Sequence, residues 1–190
     1  MSRALPSKIP RPRERDSRPA DELGDRTRGY NERVRYLIAL LALAGLIDSW
    51  MALRIHNQDP AQAPPCAVTA NFDCGAVNHS KYAVLPPISF DEDPATSKKV
   101  HVPVALLGLI GYALIGVIAL LPKVPHRSFV LLQLAEGGFA FAAFLSFLEE
   151  YVLQKWCIYC LWSAGFITAI MLVAFASLVV DSRKRRKAGA

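Results

Sequence analysis

Four apolar runs separated by polar segments set the plan of this chain: Val34 to Leu53, Val102 to Leu121, Phe129 to Leu148, and Cys157 to Val180. Each holds 20 or more residues. A helix rising about 1.5 Å per residue covers, at that length, the roughly 30 Å hydrocarbon core of a bilayer. The pattern predicts an all-α integral membrane protein, a four-transmembrane-helix bundle with a long loop, residues 54–101, between the first and second spans. A hydrophobic content of 53% over 190 residues agrees, being high for a soluble domain of that size.

Orientation follows from where Lys and Arg fall beside the spans. The segment up to Arg35 carries ten basic residues, the link between the second and third spans carries Lys123 and Arg127, and the tail carries Arg183, Lys184, Arg185, Arg186 and Lys187. The turn between the third and fourth spans has Glu149 and Glu150 against a single Lys155. Both termini are therefore expected in the cytoplasm, with loop 54–101 and the 149–156 turn together on the opposite, extracytoplasmic face. The net charge of +6 is explained by this topology, and nucleic acid is not an expected partner. Membrane lipid is.

Residues 1–33 are rich in Arg, Pro, Asp and Glu and poor in large apolar side chains, so they are expected to form a disordered basic cytoplasmic arm. They contain no apolar signal-peptide core, which makes the first span the expected insertion signal. Residues 34–180 form the membrane domain and 181–190 a basic cytoplasmic tail. The long loop exceeds what a helix connection needs, and loops of that size are usually functional or disordered. Its middle, up to Pro86-Pro87, is expected to hold a short helix over the bundle, and Asp91-Glu92-Asp93-Pro94 reads as a solvated excursion. The Asn78-His79-Ser80 sequon is read as chance.

Chemistry enters with the cysteines. Only four are present: Cys66 and Cys74 in the loop, and Cys157 and Cys160 in Trp156-Cys157-Ile158-Tyr159-Cys160 at the start of the last span. A CxxC opening a helix puts both sulfurs on one face at i and i+3, within reach of a disulfide. The helix N-terminus favours the thiolate of the first cysteine. All four lie on, or at the edge of, the expected oxidising face, where disulfides persist in a bacterium.

This arrangement resembles the vitamin K epoxide reductase family in its bacterial, stand-alone form. The resemblance is carried by the loop pair Cys66 and Cys74, by Ser80 six residues later, by the CxxC Cys157 and Cys160, and by the opening of the second span, His101-Val102-Pro103-Val104-Ala105-Leu106-Leu107-Gly108. It implies a bundle around a quinone, ubiquinone or menaquinone, in the bacterial inner membrane. It also implies a relay that reoxidises a separate periplasmic thioredoxin-like (DsbA-like) protein and so supports disulfide formation in exported proteins. A partner thiolate would attack the Cys66–Cys74 disulfide, and a released loop thiolate would attack Cys157–Cys160. Cys157 is then the expected receiver and Cys160 the cysteine that faces the quinone, with Ser80 a polar group near them. Ala164 stands where animal members have a tyrosine, and the stretch from Pro86 to Val100 is longer than usual.

Two acids fall inside expected spans, and an ionisable group at membrane depth is a functional candidate by default. Asp48 lies near the outer end of the first span, at the depth expected for the quinone. Glu136 lies deeper, beside Gly137-Gly138, a pair that suggests close helix packing. Trp162 is a candidate quinone neighbour, Trp156 an interface anchor, and His79 a solvated loop histidine. No metal site is expected on an oxidising face. The alternative function is a non-catalytic small membrane protein or transporter with structural disulfides, which would not trap mixed disulfides when one cysteine is replaced.

Overall fold

The computed structural model describes residues 18–59, 61, 66, 69, 71–89, 100–121 and 124–188. Residues 1–17 of the arm, the acidic stretch Asp91-Glu92-Asp93-Pro94 and most of the 86–100 insertion lie outside them. The described residues are mostly helical: α1 (Arg18–His56), the short α2 (Cys74–Asn78), α3 (Val104–Leu120), α4 (Arg127–Leu148) and α5 (Ile158–Ala188). A two-residue antiparallel ladder joins β1 (Val84–Leu85) to β2 (Val102–Pro103), with Val84 opposite Pro103 and Leu85 opposite Val102.

Among the described residues, three helical stretches are long and apolar enough to cross a membrane, Glu32–His56, Arg127–Leu153 and Ile158–Arg183. The 17-residue α3 is apolar but shorter, because Val102 and Pro103, expected in the second span, belong to β2 instead. Pro103 takes the N-cap position, where its missing N–H removes no helix bond. α1 begins at Arg18, upstream of the boundary expected at Val34; Arg, Glu, Ala and Leu are good helix formers, and helix propagates at little cost from an apolar segment already fixed below. α4 runs past Leu148 into a π-helical turn, Glu149–Leu153, which Gln154 ends in the left-handed conformation at φ 52°.

α1 packs against α3 and α5, and α4 packs against α5 and α3, so the four long helices close a ring. Its buried core includes Ile38, Ala42, Tyr112, Ile115, Leu131, Ala135, Ile167 and Ile170. Small residues let the backbones approach where lipid supplies no hydrophobic drive. A Cβ on Gly45 would run into the Tyr112 ring, and one on Gly138 would meet Ile167 at 2.9 Å. Gly137 faces open space and Glu136 is exposed, so of that expected packing pair only Gly138 is in contact. Leu40, Leu43 and Trp50 of α1, Phe144 and Phe147 of α4, and Leu172 and Phe175 of α5 point outward. Helices apolar on their outer face, with backbone bonds satisfied internally, make this a membrane protein.

Candidate active site

At one end of the ring the long loop folds back on the start of α5. Trp156 N–H donates to Asn71 O at 2.8 Å and Asp73 N–H donates to Trp156 O at 3.0 Å, a parallel bridge that ties the loop to the residue before Cys157. Trp156 is thus a half-buried clamp between loop and helix. Asp73 then caps α2, its Oδ1 accepting the Ala76 N–H at 3.0 Å, so Cys74 opens that short helix directly beside the bridge.

The clamp brings the two cysteine pairs together. Cys66 and Cys74 form a disulfide with Cα atoms 5.8 Å apart, while Cys157 and Cys160 are free thiols. Cys66, Cys74 and Cys157 share one buried cluster with Ile55 and Val77, and Cys160 packs against it. Asn78 bridges the pairs: its Nδ2 donates to Cys74 O at 2.9 Å and to Cys157 Sγ at 3.5 Å. Cys157 sits just before α5. The Cys160 thiol hydrogen-bonded to it, with the Cys160 and Tyr159 amides, holds Cys157 below the ordinary thiol range, against the opposing pull of burial and of the Glu149 charge.

Behind Cys160 a cavity of about 420 Å³ opens between the four long helices. Its wall is largely apolar, with Ile115, Phe141, Leu145 and Ile167, and its polar groups include Asp48, Asn78, Ser80, Tyr112, Glu149 and Tyr159. That size and lining are those of a site for a small organic ligand. Tyr112 is committed elsewhere, its hydroxyl donating to Ser163 O at 2.8 Å. Ser80 Oγ is buried with no hydrogen-bond partner.

Of the residues singled out from sequence, Cys66, Cys74, Cys157, Cys160, Ser80 and Asp48 gather at this end, and Cys160, Ser80 and Asp48 line the cavity. Trp162 does not; it is 58% exposed and stacks on Phe166 outside the lining. His79 is held rather than solvated, its two ring nitrogens facing Gly75 O at 2.9 Å and Gln58 O at 3.0 Å. Sequence reasoning missed Asn78 and Glu149. Both are polar residues buried here by tertiary contacts, and the only local signal was their nearness to Cys74 and to the CxxC.

A model of the vitamin K epoxide reductase family matches residues 36–175, which span the loop, both cysteine pairs and the cavity. The chain belongs to the vitamin K epoxide reductase family. Membership makes it a thiol/disulfide oxidoreductase in general class, and the disulfide in the loop agrees with that chemistry. No curated protein matches the chain.

Proposed function

We propose that this member of the vitamin K epoxide reductase family is a quinone-linked thiol oxidase that reoxidises a periplasmic thioredoxin-like protein. The observation that carries the reading is the meeting of two cysteine pairs in one buried cluster, with Cys160 alone of the four also lining the adjoining cavity. A reduced partner's thiolate attacks the Cys66–Cys74 disulfide and leaves as the partner's own disulfide. The Cys74 thiolate so freed lies beside Cys157 and attacks it when Cys157 and Cys160 are oxidised; Cys66 then closes the loop disulfide again, and two electrons rest on the Cys157 and Cys160 thiols. A joined loop pair beside two free CxxC thiols is the arrangement this reading expects at that point.

The cavity fits a quinone ring on one specific ground: Ser80 offers a buried hydroxyl with no partner, which suits a carbonyl oxygen, among apolar walls. A quinone held there, ubiquinone or menaquinone, supplies a two-electron, two-proton acceptor. Cys160 and Ser80 would hold its polar edge in this reading, and Asp48 lines the same cavity.

The same reading has four spans. Leu107, Ile110, Leu114 and Val117 along α3, with Leu121 just past its end, are all exposed and recur at helical spacing, a lipid-facing stripe on a helix packed along α1. Seventeen residues cover about 25 Å, close to a hydrocarbon core that thins locally around short spans. An even number of crossings, with the basic termini on one side, puts both termini in the cytoplasm and the cysteine end on the outer face of a bacterial inner membrane.

Purified protein with a quinone is expected to oxidise a reduced thioredoxin-like substrate. Cys157→Ser or Cys160→Ser abolishes this, and Cys160→Ser accumulates a mixed disulfide between the loop and Cys157. Quinone reduction undiminished in Cys160→Ser refutes the assignment.

A further inference from the structure

Glu149 and Glu150 read in the sequence as an acidic pair in a turn, yet the fold separates them: Glu150 is exposed and Glu149 is 1% exposed. The π turn is the cause. Its wider winding, closed by Lys155 N–H donating to Glu149 O at 3.1 Å, turns Glu149 inward against the start of α5. There its Oε2 accepts the Cys157 N–H at 3.2 Å, at the residue that opens the CxxC, and its Oε1 is buried with no hydrogen-bond partner. The residue also lines the cavity. Capping the Cys157 amide needs an oxygen but no charge, so a buried carboxyl is more than that contact requires.

We propose that Glu149 is the catalytic base that takes the Cys160 thiol proton and passes it into the cavity as the CxxC is oxidised. This deepens the quinone-linked reading and rests on it. Oxidation forms the Cys157–Cys160 S–S bond, breaks the Cys160 S–H bond and sends two electrons to the quinone. The Cys160 proton moves to the Glu149 carboxylate and from there to one quinone oxygen. The second oxygen takes a proton from solvent, matching the one Cys157 released there on becoming a thiolate. Glu149 ends as the carboxylate it began as.

The test uses Glu149→Gln, which keeps size and the oxygen for the Cys157 amide but cannot carry a proton. The first readout involves no quinone: Cys160 is alkylated across pH in quinone-free protein carrying Cys157→Ser, with the loop pair oxidised. A carboxyl and a thiol that share a proton titrate as a pair, so the rate profile has two steps with Glu149 present and one in Glu149→Gln. Glu149→Asp restores two steps at shifted positions, and this comparison stands alone if Glu149→Gln does not fold. The second readout is quinone reduction by a small dithiol in protein with Cys157 intact, expected to fall about 100-fold in Glu149→Gln. Glu150→Gln on the exposed side of the turn alters neither. A single-step profile with Glu149 present, or a rate loss in Glu149→Gln without a changed profile, overturns the proposal. Because the alkylation contains no quinone, its outcome is independent of Cys160→Ser, whose retained quinone reduction overturns the parent reading instead.

Discussion

Replacing Asn78 by Ala tests whether the loop tunes the CxxC that it touches. The side chain is 8% exposed and spends its amide on two partners, Cys74 O at 2.9 Å and Cys157 Sγ at 3.5 Å. Hydrogen bonds to charged groups contribute about 1.5–3 kcal/mol, and the long N–H···S distance places this one at the low end. Losing about 1.5 kcal/mol of thiolate stabilisation lowers the Cys157 thiolate fraction about tenfold at a pH where the thiol form dominates. The assay is the alkylation rate of Cys157 in protein carrying Cys66→Ser, Cys74→Ser and Cys160→Ser, in which no mixed disulfide can form, compared with and without Asn78→Ala. The expected result is about tenfold slower reaction at pH values low enough for the thiol form to dominate, with the two rates converging once pH is high enough to ionise both. A separate cost of about 1 kcal/mol comes from leaving the buried Cys74 carbonyl short of a donor, read as a lower thermal midpoint. Equal rates at every pH, alongside that lower midpoint, would refute the claim that Asn78 acts on the sulfur and leave it a loop tie only.

Other substitutions separate packing from chemistry. Gly45→Leu drives a side chain into the Tyr112 ring and is expected to destabilise the α1–α3 contact by about 1–3 kcal/mol in a detergent melt, whereas Gly165→Ala, facing open space, is silent. Tyr112→Phe removes the hydroxyl that donates to Ser163 O and lowers stability by about 1 kcal/mol, measured by thermal shift. Ser80→Ala discards a hydroxyl that has no protein partner, so stability holds in quinone-free protein while the KM for quinone rises about fivefold; a drop in stability with unchanged KM would mark Ser80 as a loop residue instead.

The apolar runs, the four cysteines and the serine six residues beyond Cys74 were legible as sequence, because span length and CxxC spacing are local properties that chemistry constrains directly. Helix boundaries were less so: whether Val102 and Pro103 start α3 or pair with β1 depends on a strand 18 residues upstream. What only the tertiary structure decided is which polar groups face the sulfurs. Asn78 lay inside a sequon, Glu149 and Glu150 were one acidic pair, and Trp162 looked as near the CxxC as any residue of the last span. The Phe72–Trp156 bridge and the π turn then put Asn78 and Glu149 against the cysteines and left Trp162 outside. Hydropathy records how deep a segment sits in the bilayer, but rotation about a helix axis and the docking of a loop are settled by contacts between distant residues, and these determine the chemistry at Cys157 and Cys160.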